Sequence, residues 1–359
     1  MKTIKRMQKS SAYTGKLPKG CMLCEKGAKL VLLVTGKCDR RCAYCPLSSA
    51  KRGKDVFFAN ERRISQIEEA LDEAELMDAL GTGITGGDPL LAIDRTVEAI
   101  KALKMRFGDS HHIHLYTSTT DLRKIERVAK AGLDEIRLHP PIGRWEKLEK
   151  TDFAKVVSRS RKLGMDTGLE IPVIPGRSRE LVAAIAFADA VDLDFVNLNE
   201  LEFSETNWRS LRALGFDVKD DVSSGVKGSE DLGLDLLRLD ADVPLHYCSS
   251  SFKDGVQLRR RIMRRAKRVK RPHELLTKDG TFLKGAIETE HPAMTAAYIM
   301  KKYEVPGELI WSNIKKKRLE IAPWVLEEIA DELDQPCFII EEYPTADALE
   351  VERRPLKRR

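Results

Sequence analysis

Three of the chain's seven cysteines, Cys38, Cys42 and Cys45, fall within eight residues in the stretch TGKCDRRCAYCPLS. Thiolates are soft ligands that suit zinc or iron–sulfur clusters. Three at this spacing can wrap one corner of a cubane, binding three of its irons and leaving one metal position open for chemistry. A structural zinc site would want a fourth Cys or His nearby, and residues 46–60 supply neither. The pattern favours a cluster with a free corner.

The elements that must hold this loop follow a regular alternation. A strand-like run, KLVLLVTG (29–36), leads directly into the cysteines. Apolar residues at helical spacing over 64–80 precede a short strand that ends in the Gly-rich turn GTGITGGDP. Helices are then expected over 95–108, 122–132, 152–164 and 180–191, with strands at 112–118, 134–141, 167–176 and 194–204. Short Val-, Ile- and Leu-rich runs between helices argue for a parallel sheet covered by helices. Six such units suggest a barrel or partial barrel, with chemistry at the strands' C-terminal ends. An open doubly wound sheet would share the periodicity. Polar or Gly-rich clusters follow every strand, which favours an enzyme over a scaffold.

With these features the chain resembles the radical SAM superfamily, whose signature is C-x3-C-x2-C after the first strand of a partial (β/α)6 barrel. The match is Cys38, Cys42 and Cys45. Tyr44 stands where the family places an aromatic residue beside the adenine. A Gly-Gly-Glu-Pro-like turn that receives the methionine amino group reads here Gly86-Gly87-Asp88-Pro89, the Asp keeping the carboxylate at shorter reach. The resemblance covers about residues 29–204 and implies an α/β fold of this type with a [4Fe–4S] cluster. Its open iron would chelate S-adenosylmethionine (SAM). A one-electron donor of ferredoxin or flavodoxin type would then drive reductive cleavage to methionine and a 5′-deoxyadenosyl radical, which abstracts hydrogen from a C–H bond. Polar groups at strand ends contact the ribose and carboxylate in this family. The corresponding candidates are Thr117, Ser118, Arg137, His139, Glu170, Asn197 and Asn199, each with core or capping duty as its competing reading. His111 and His112, just before a strand, read as surface residues.

A second metal site is suggested by Cys21-x2-Cys24 and by Cys248 in LHYCSS, with His246 two residues earlier. Such a set would hold an iron–sulfur cluster or zinc. Cys24 precedes the first strand and Cys248 ends a later one. In one parallel barrel they would lie at opposite ends, more than ~20 Å apart. That holds unless the N-terminal segment folds back over the top or the 243–247 strand lies outside the barrel. Cys337, followed by Phe-Ile-Ile, reads as a core thiol.

At 42% hydrophobic residues the chain can build a real core, and no run of eighteen apolar residues predicts a membrane span. The basic N-terminus lacks the apolar centre of a signal peptide, so a cytoplasmic protein with unpaired cysteines is expected. The expected divisions are an N-terminal CxxC segment (1–28), the barrel (29–204), an extension (205–273) and a small C-terminal α+β module (274–359). Nine of residues 258–272 are Lys or Arg. This run is either a phosphate-binding surface or a solvated helix face or linker.

The full chain resembles a mainly archaeal branch related to pyruvate formate-lyase (glycyl-radical) activating enzymes, on TGKCDRRCAYCP, TGGDP, LDEIRLHP, EIPVIPG and FVNLNELE. For the substrate, the basic run and Trp311 put RNA, above all tRNA, first. A protein substrate, as for the glycyl-radical activases, is the alternative. A small molecule comes third, and a non-catalytic binding module of the same fold last.

Overall fold

The computed structural model describes residues 3–356, so the extreme ends of the first and last expected segments lie outside it. The chain divides into two compact units, residues 1–75 with 79–258, and residues 76–78 with 259–359. The basic run, grouped by sequence with the barrel extension, therefore lies in the second unit.

In the first unit seven parallel strands lie side by side in chain order: β1 (Lys29–Leu33), β2 (Gly81–Thr85), β3 (His112–Thr117), β4 (Glu135–Leu138), β5 (Asp166–Val173), β6 (Phe195–Glu200) and β7 (Leu245–Cys248). A doubly wound sheet reverses direction at a switch point, and this one never does. The order is that of a partial (β/α) barrel extended by a seventh strand. Both edges of the parallel sheet are extended by short antiparallel strands, which leave only brief edges exposed. The hairpin Phe57–Ala59/Arg62–Ile64 pairs with β1, and Ala12–Tyr13 pairs antiparallel with β7.

The helices start and stop where local chemistry allows. Asp121 and Thr151 cap helices Leu122–Lys130 and Asp152–Lys162 by accepting from Arg123 N–H and Phe153 N–H. Gly108, at φ +77°, ends Ile93–Phe107 in a conformation that disfavours side chains. Outward strand residues such as Ile113, Leu115, Ile136, Leu169 and Leu198 are fully buried under these helices. The inward face is polar: His112, His114, Glu135, Arg137, Glu170, Asn197 and His246.

His111 and His112 are not at the surface; they are 3% and 2% exposed. His111 bonds Thr82 Oγ1 at 2.9 Å and stacks on Phe107, while His112 lies 3.4 Å from the Glu135 carboxylate. Burial holds both imidazoles down to about 4, helped by Lys104 for His111 and Lys29 for His112, against the opposing pull of Asp134 and Glu135. Both groups are neutral in the fold but titrate near ~6.5 when unfolded. Their contribution is therefore full above that value and shrinks as pH falls toward about 4. The urea midpoint of cluster-free protein should drop between pH 7 and pH 5, and His111→Gln should flatten that slope. A midpoint unchanged over this range would mean that the imidazoles protonate in place.

In the second unit an antiparallel sheet runs in the order Ile310–Asn313, Arg318–Ile321, Phe282–Glu288, Cys337–Glu342, Glu350–Pro355, with Leu275–Leu276 added to Phe282–Glu288. Its core joins Ile287, Ile299, Leu319, Ile321 and Leu326, and Cys337 is buried among them as a core thiol. The basic run forms the helix Arg259–Val269. Trp311 belongs to the hairpin Ile310–Asn313/Arg318–Ile321, and the Arg271 guanidinium lies 3.7 Å above its ring.

Candidate active site

Beyond β1 the chain is pinned before it reaches the cysteines. Gly87 N–H donates to the Thr35 carbonyl and Asp88 N–H to the Lys37 carbonyl, both at 2.8 Å. A Cβ on Gly86 or Gly87 would run into the carbonyls of Thr35 and Lys37, so the two glycines are needed to bring strand β2 against the cysteine loop. The Asp88 carboxylate is buried and already engaged. It accepts from Thr117 Oγ1 (2.8 Å), Ser118 N–H (2.9 Å), Ser118 Oγ (3.0 Å) and Leu90 N–H (3.0 Å). It therefore joins the β2 turn to the end of β3, and the Thr117 and Ser118 hydroxyls point to it.

The far side of the loop is held by residues that sequence reasoning passed over. Asn207 Nδ2 donates to the Tyr44 carbonyl at 3.1 Å, and Thr206 Oγ1 to the carbonyls of Cys45 (3.3 Å) and Leu47 (2.8 Å). Arg40 reaches across to Ser118, with Nε to its hydroxyl and Nη2 to its carbonyl. The only sequence signal was a polar cluster, SETN, just after β6. Asn207→Ala should leave the fold intact but raise the rate of iron loss from the loaded protein about tenfold, the equivalent of one ~1.4 kcal/mol hydrogen bond. Iron release to a chelator reports it, and a rate equal to wild type would remove Asn207 from this role.

Cys38, Cys42 and Cys45 carry free thiols and line a cavity of about 690 Å³ with Gly86, Gly87, Thr117, Ser118, Tyr44 and His139. Arg40, Arg41, Lys51 and Arg52 add positive charge to the same wall. His139 Nδ1–H donates to the Glu170 carbonyl at 2.6 Å, which leaves Nε2 to accept from the Tyr44 hydroxyl at 2.8 Å. Burial lowers the His139 imidazole below its ordinary value, consistent with this neutral form. Burial likewise raises the Tyr44 phenol, with the neighbouring Cys42 adding to the effect.

A second cavity of about 420 Å³ fills the barrel lumen and shares Tyr44, Thr85, Tyr116 and His139 with the first. Here the structure divides the expected cofactor set. Arg137, Glu170, Asn197 and Asn199 line only this lower cavity, where they bond one another: Arg137 Nη1 to Glu170 (3.0 Å), Asn197 Nδ2 to Glu170 (2.8 Å) and Asn199 Nδ2 to Glu170 (2.5 Å). The cause is strand alternation, which repeats inward positions at successive depths. Arg137 also pairs with Glu135 at 2.5 Å and is 2% exposed. Lys29, in contact with His114, lines the same cavity, and burial lowers it to about 8.

Helix α1 (Lys19–Glu25) corrects the expected separation of the cysteines. β7 lies within the barrel sheet, and α1 neither folds over the top nor stays outside. It enters the lumen, with Gly20 N–H on Glu135 at 3.2 Å, so Cys21, Cys24 and Cys248 line one cavity. In the second unit His273, Glu274 and Glu320 bring donor atoms within 4.8 Å of one another. Lys284 already bonds Glu274 (3.1 Å) and Glu320 (2.8 Å), so an ammonium occupies the place of an ion there.

The donor set in the upper cavity fits a cubane: three soft, unpaired thiols, a Gly-Gly turn packed against their loop, and flanking cations to balance an anionic cluster. A parallel barrel that opens its strand ends onto such a triad is the architecture of a radical SAM enzyme. A family model described as the radical SAM superfamily matches residues 32–188, and one described as a domain of unknown function matches residues 280–356. A Methanocaldococcus jannaschii protein provisionally named as a glycyl-radical enzyme activating enzyme is 43% identical, over 95% of this chain and 93% of its own. The GTP 3′,8-cyclase of Pseudomonas putida is 29% identical over 48% of this chain and 53% of its own. Among solved structures, Streptococcus suis SuiB bound to S-adenosylmethionine aligns over 62% of this chain and 50% of its own, at 14% identity and a TM-score of 0.42. The chain belongs to the radical SAM superfamily, and its cofactors are a [4Fe–4S] cluster and SAM. No helix among the described residues is long and apolar enough to cross a membrane.

Proposed function

We propose that this radical SAM enzyme acts on a polypeptide, taking hydrogen from a backbone glycine of a partner protein. The observation that carries this reading is the 43% identity, over nearly the whole chain, to a relative provisionally named as a glycyl-radical enzyme activating enzyme. When bound, the cluster and SAM supply a 5′-deoxyadenosyl radical fed by a one-electron donor. Cys38, Cys42 and Cys45 hold the cluster, and the β2 turn with Tyr44, Thr117 and Ser118 forms the wall against SAM. His139 fixes the Tyr44 hydroxyl through its Nε2. The Arg137–Glu170–Asn197 network keeps the lumen below rigid and polar.

The RNA reading loses its footing. The Arg271 guanidinium lies over the half-exposed Trp311 ring, Arg259 pairs with Asp279, and Arg265 is bound to the Pro344 carbonyl, so the aromatic and these cations already have partners within their own unit. Reconstituted enzyme with reductant and SAM, given protein extract carrying α-deuterated glycine, should release deuterated 5′-deoxyadenosine. Deuterium transfer from nucleoside-labelled RNA instead, or from neither, would overturn the polypeptide assignment.

A further inference from the structure

The lumen cavity carries a set of donors that the radical chemistry does not use. Cys21 and Cys24, three residues apart on α1, share a helix face. His246 and Cys248, two apart on β7, share a strand face. All four line the same cavity. We propose that they hold a second iron–sulfur cluster, with Cys21, Cys24 and Cys248 as thiolate ligands and His246 Nε2 as the fourth.

Each donor is already oriented. His246 is 3% exposed, and its Nδ1 lies 3.1 Å from Asn197 Oδ1, an acceptor. Nδ1 therefore carries the proton, and the Nε2 lone pair is left without a partner in a buried site. A metal-bound histidine is prepared in this way, its other nitrogen held by a fixed acceptor. The sulfurs are prepared in the complementary sense. Cys21 Sγ receives N–H donors from Asn197 Nδ2 at 3.3 Å and Arg137 Nη2 at 3.4 Å, and Cys248 Sγ receives one from Gln257 Nε2 at 3.7 Å. Donors aimed at sulfur stabilise a ligating thiolate and tune a cluster's potential. Asn197 serves both sides, its oxygen on the histidine and its nitrogen on the thiol.

Among the described residues no three of these donors fall within 4.8 Å of one another, and neither do those of Cys38, Cys42 and Cys45. One zinc ion would draw its ligands to about 2.0–2.3 Å from a common centre. Ligands of a cubane sit on separate metal corners and stand farther apart, and the cavity of about 420 Å³ leaves room for such a centre.

The test does not depend on the radical chemistry. The full chain with Cys38, Cys42 and Cys45 all changed to alanine, purified anaerobically from iron- and zinc-supplemented cells, should retain about four iron and four sulfide per chain with a cluster absorption band. Adding Cys21→Ala and Cys24→Ala should remove both while the circular dichroism stays that of the parent. His246→Ala, in the same triple background, should keep the iron but shift the EPR g-values of the reduced centre. An absence of iron in the triple variant would overturn the proposal. A single zinc without sulfide, or iron that survives the loss of Cys21 and Cys24, would overturn it equally.

Discussion

Cys42→Ser is expected to lower 5′-deoxyadenosine formation at least about 1000-fold, a loss of ~4 kcal/mol of transition-state stabilisation. Cys42 is half-buried in the loop and lines the upper cavity between the Arg40–Ser118 anchor and the Asn207 anchor. Serine offers a hard, protonated oxygen where a soft thiolate is needed, so the iron it should bind is released or left labile. Cys38→Ser and Cys45→Ser should match it. The three losses should not add, because a cluster missing one ligand has already lost its function. The measurement is SAM cleavage by reconstituted protein under a strong reductant. Retention of even a tenth of the wild-type rate in any of the three variants would contradict assignment of the cluster to this loop.

Arg137→Met should cost about 3–5 kcal/mol of stability at pH 7, the scale of breaking a buried ion pair on one side. The guanidinium lies between Glu135 and Glu170, at 2.5 and 3.0 Å, and all three side chains are deep in the lumen. Burial alone would raise the Glu135 carboxyl, but Arg137 and Lys29 hold it below its ordinary value. Its contribution is therefore present above the unfolded value of about 4.3 and is lost as pH falls through the lower folded one. Without Arg137 the same carboxylate is buried against weaker partners and its proton affinity rises. The variant should then lose less stability than wild type between pH 7 and pH 5. Glu135→Gln in the same chain should recover part of the loss. Urea unfolding at the two pH values reads both effects, and a cost below about 1 kcal/mol would mean that the network is solvated rather than structural.

Much of the candidate site was legible because its parts are local. The C-x3-C-x2-C spacing, Tyr44 and the Gly-Gly-Asp-Pro turn each lie within one loop, and the strand and helix periods around them are set by neighbouring residues. Cys337 was readable for the same reason, from the apolar residues that follow it. The domain division was not, since a basic stretch reads alike as linker or as helix until the contacts of Arg259–Val269 place it with the second unit. Trp311 is half-exposed, and nothing in its sequence neighbourhood announces that Arg271, forty residues earlier, lies over its ring.

From residues alone came the thiolate triad, the alternation of strands and helices, and the carboxylate beside the glycines. Only the folded chain decided that the strands run in unbroken order, since periodicity carries no information on which strand lies beside which. It also turned Asp88 onto Thr117 and Ser118, sank His111 and His112, and brought α1 into the lumen so that Cys21 meets the residues of β4 and β6. Those outcomes depend on contacts between residues as many as 176 positions apart. Such contacts form only when burial of the whole barrel outweighs the chain entropy they cost, and no local pattern records that balance.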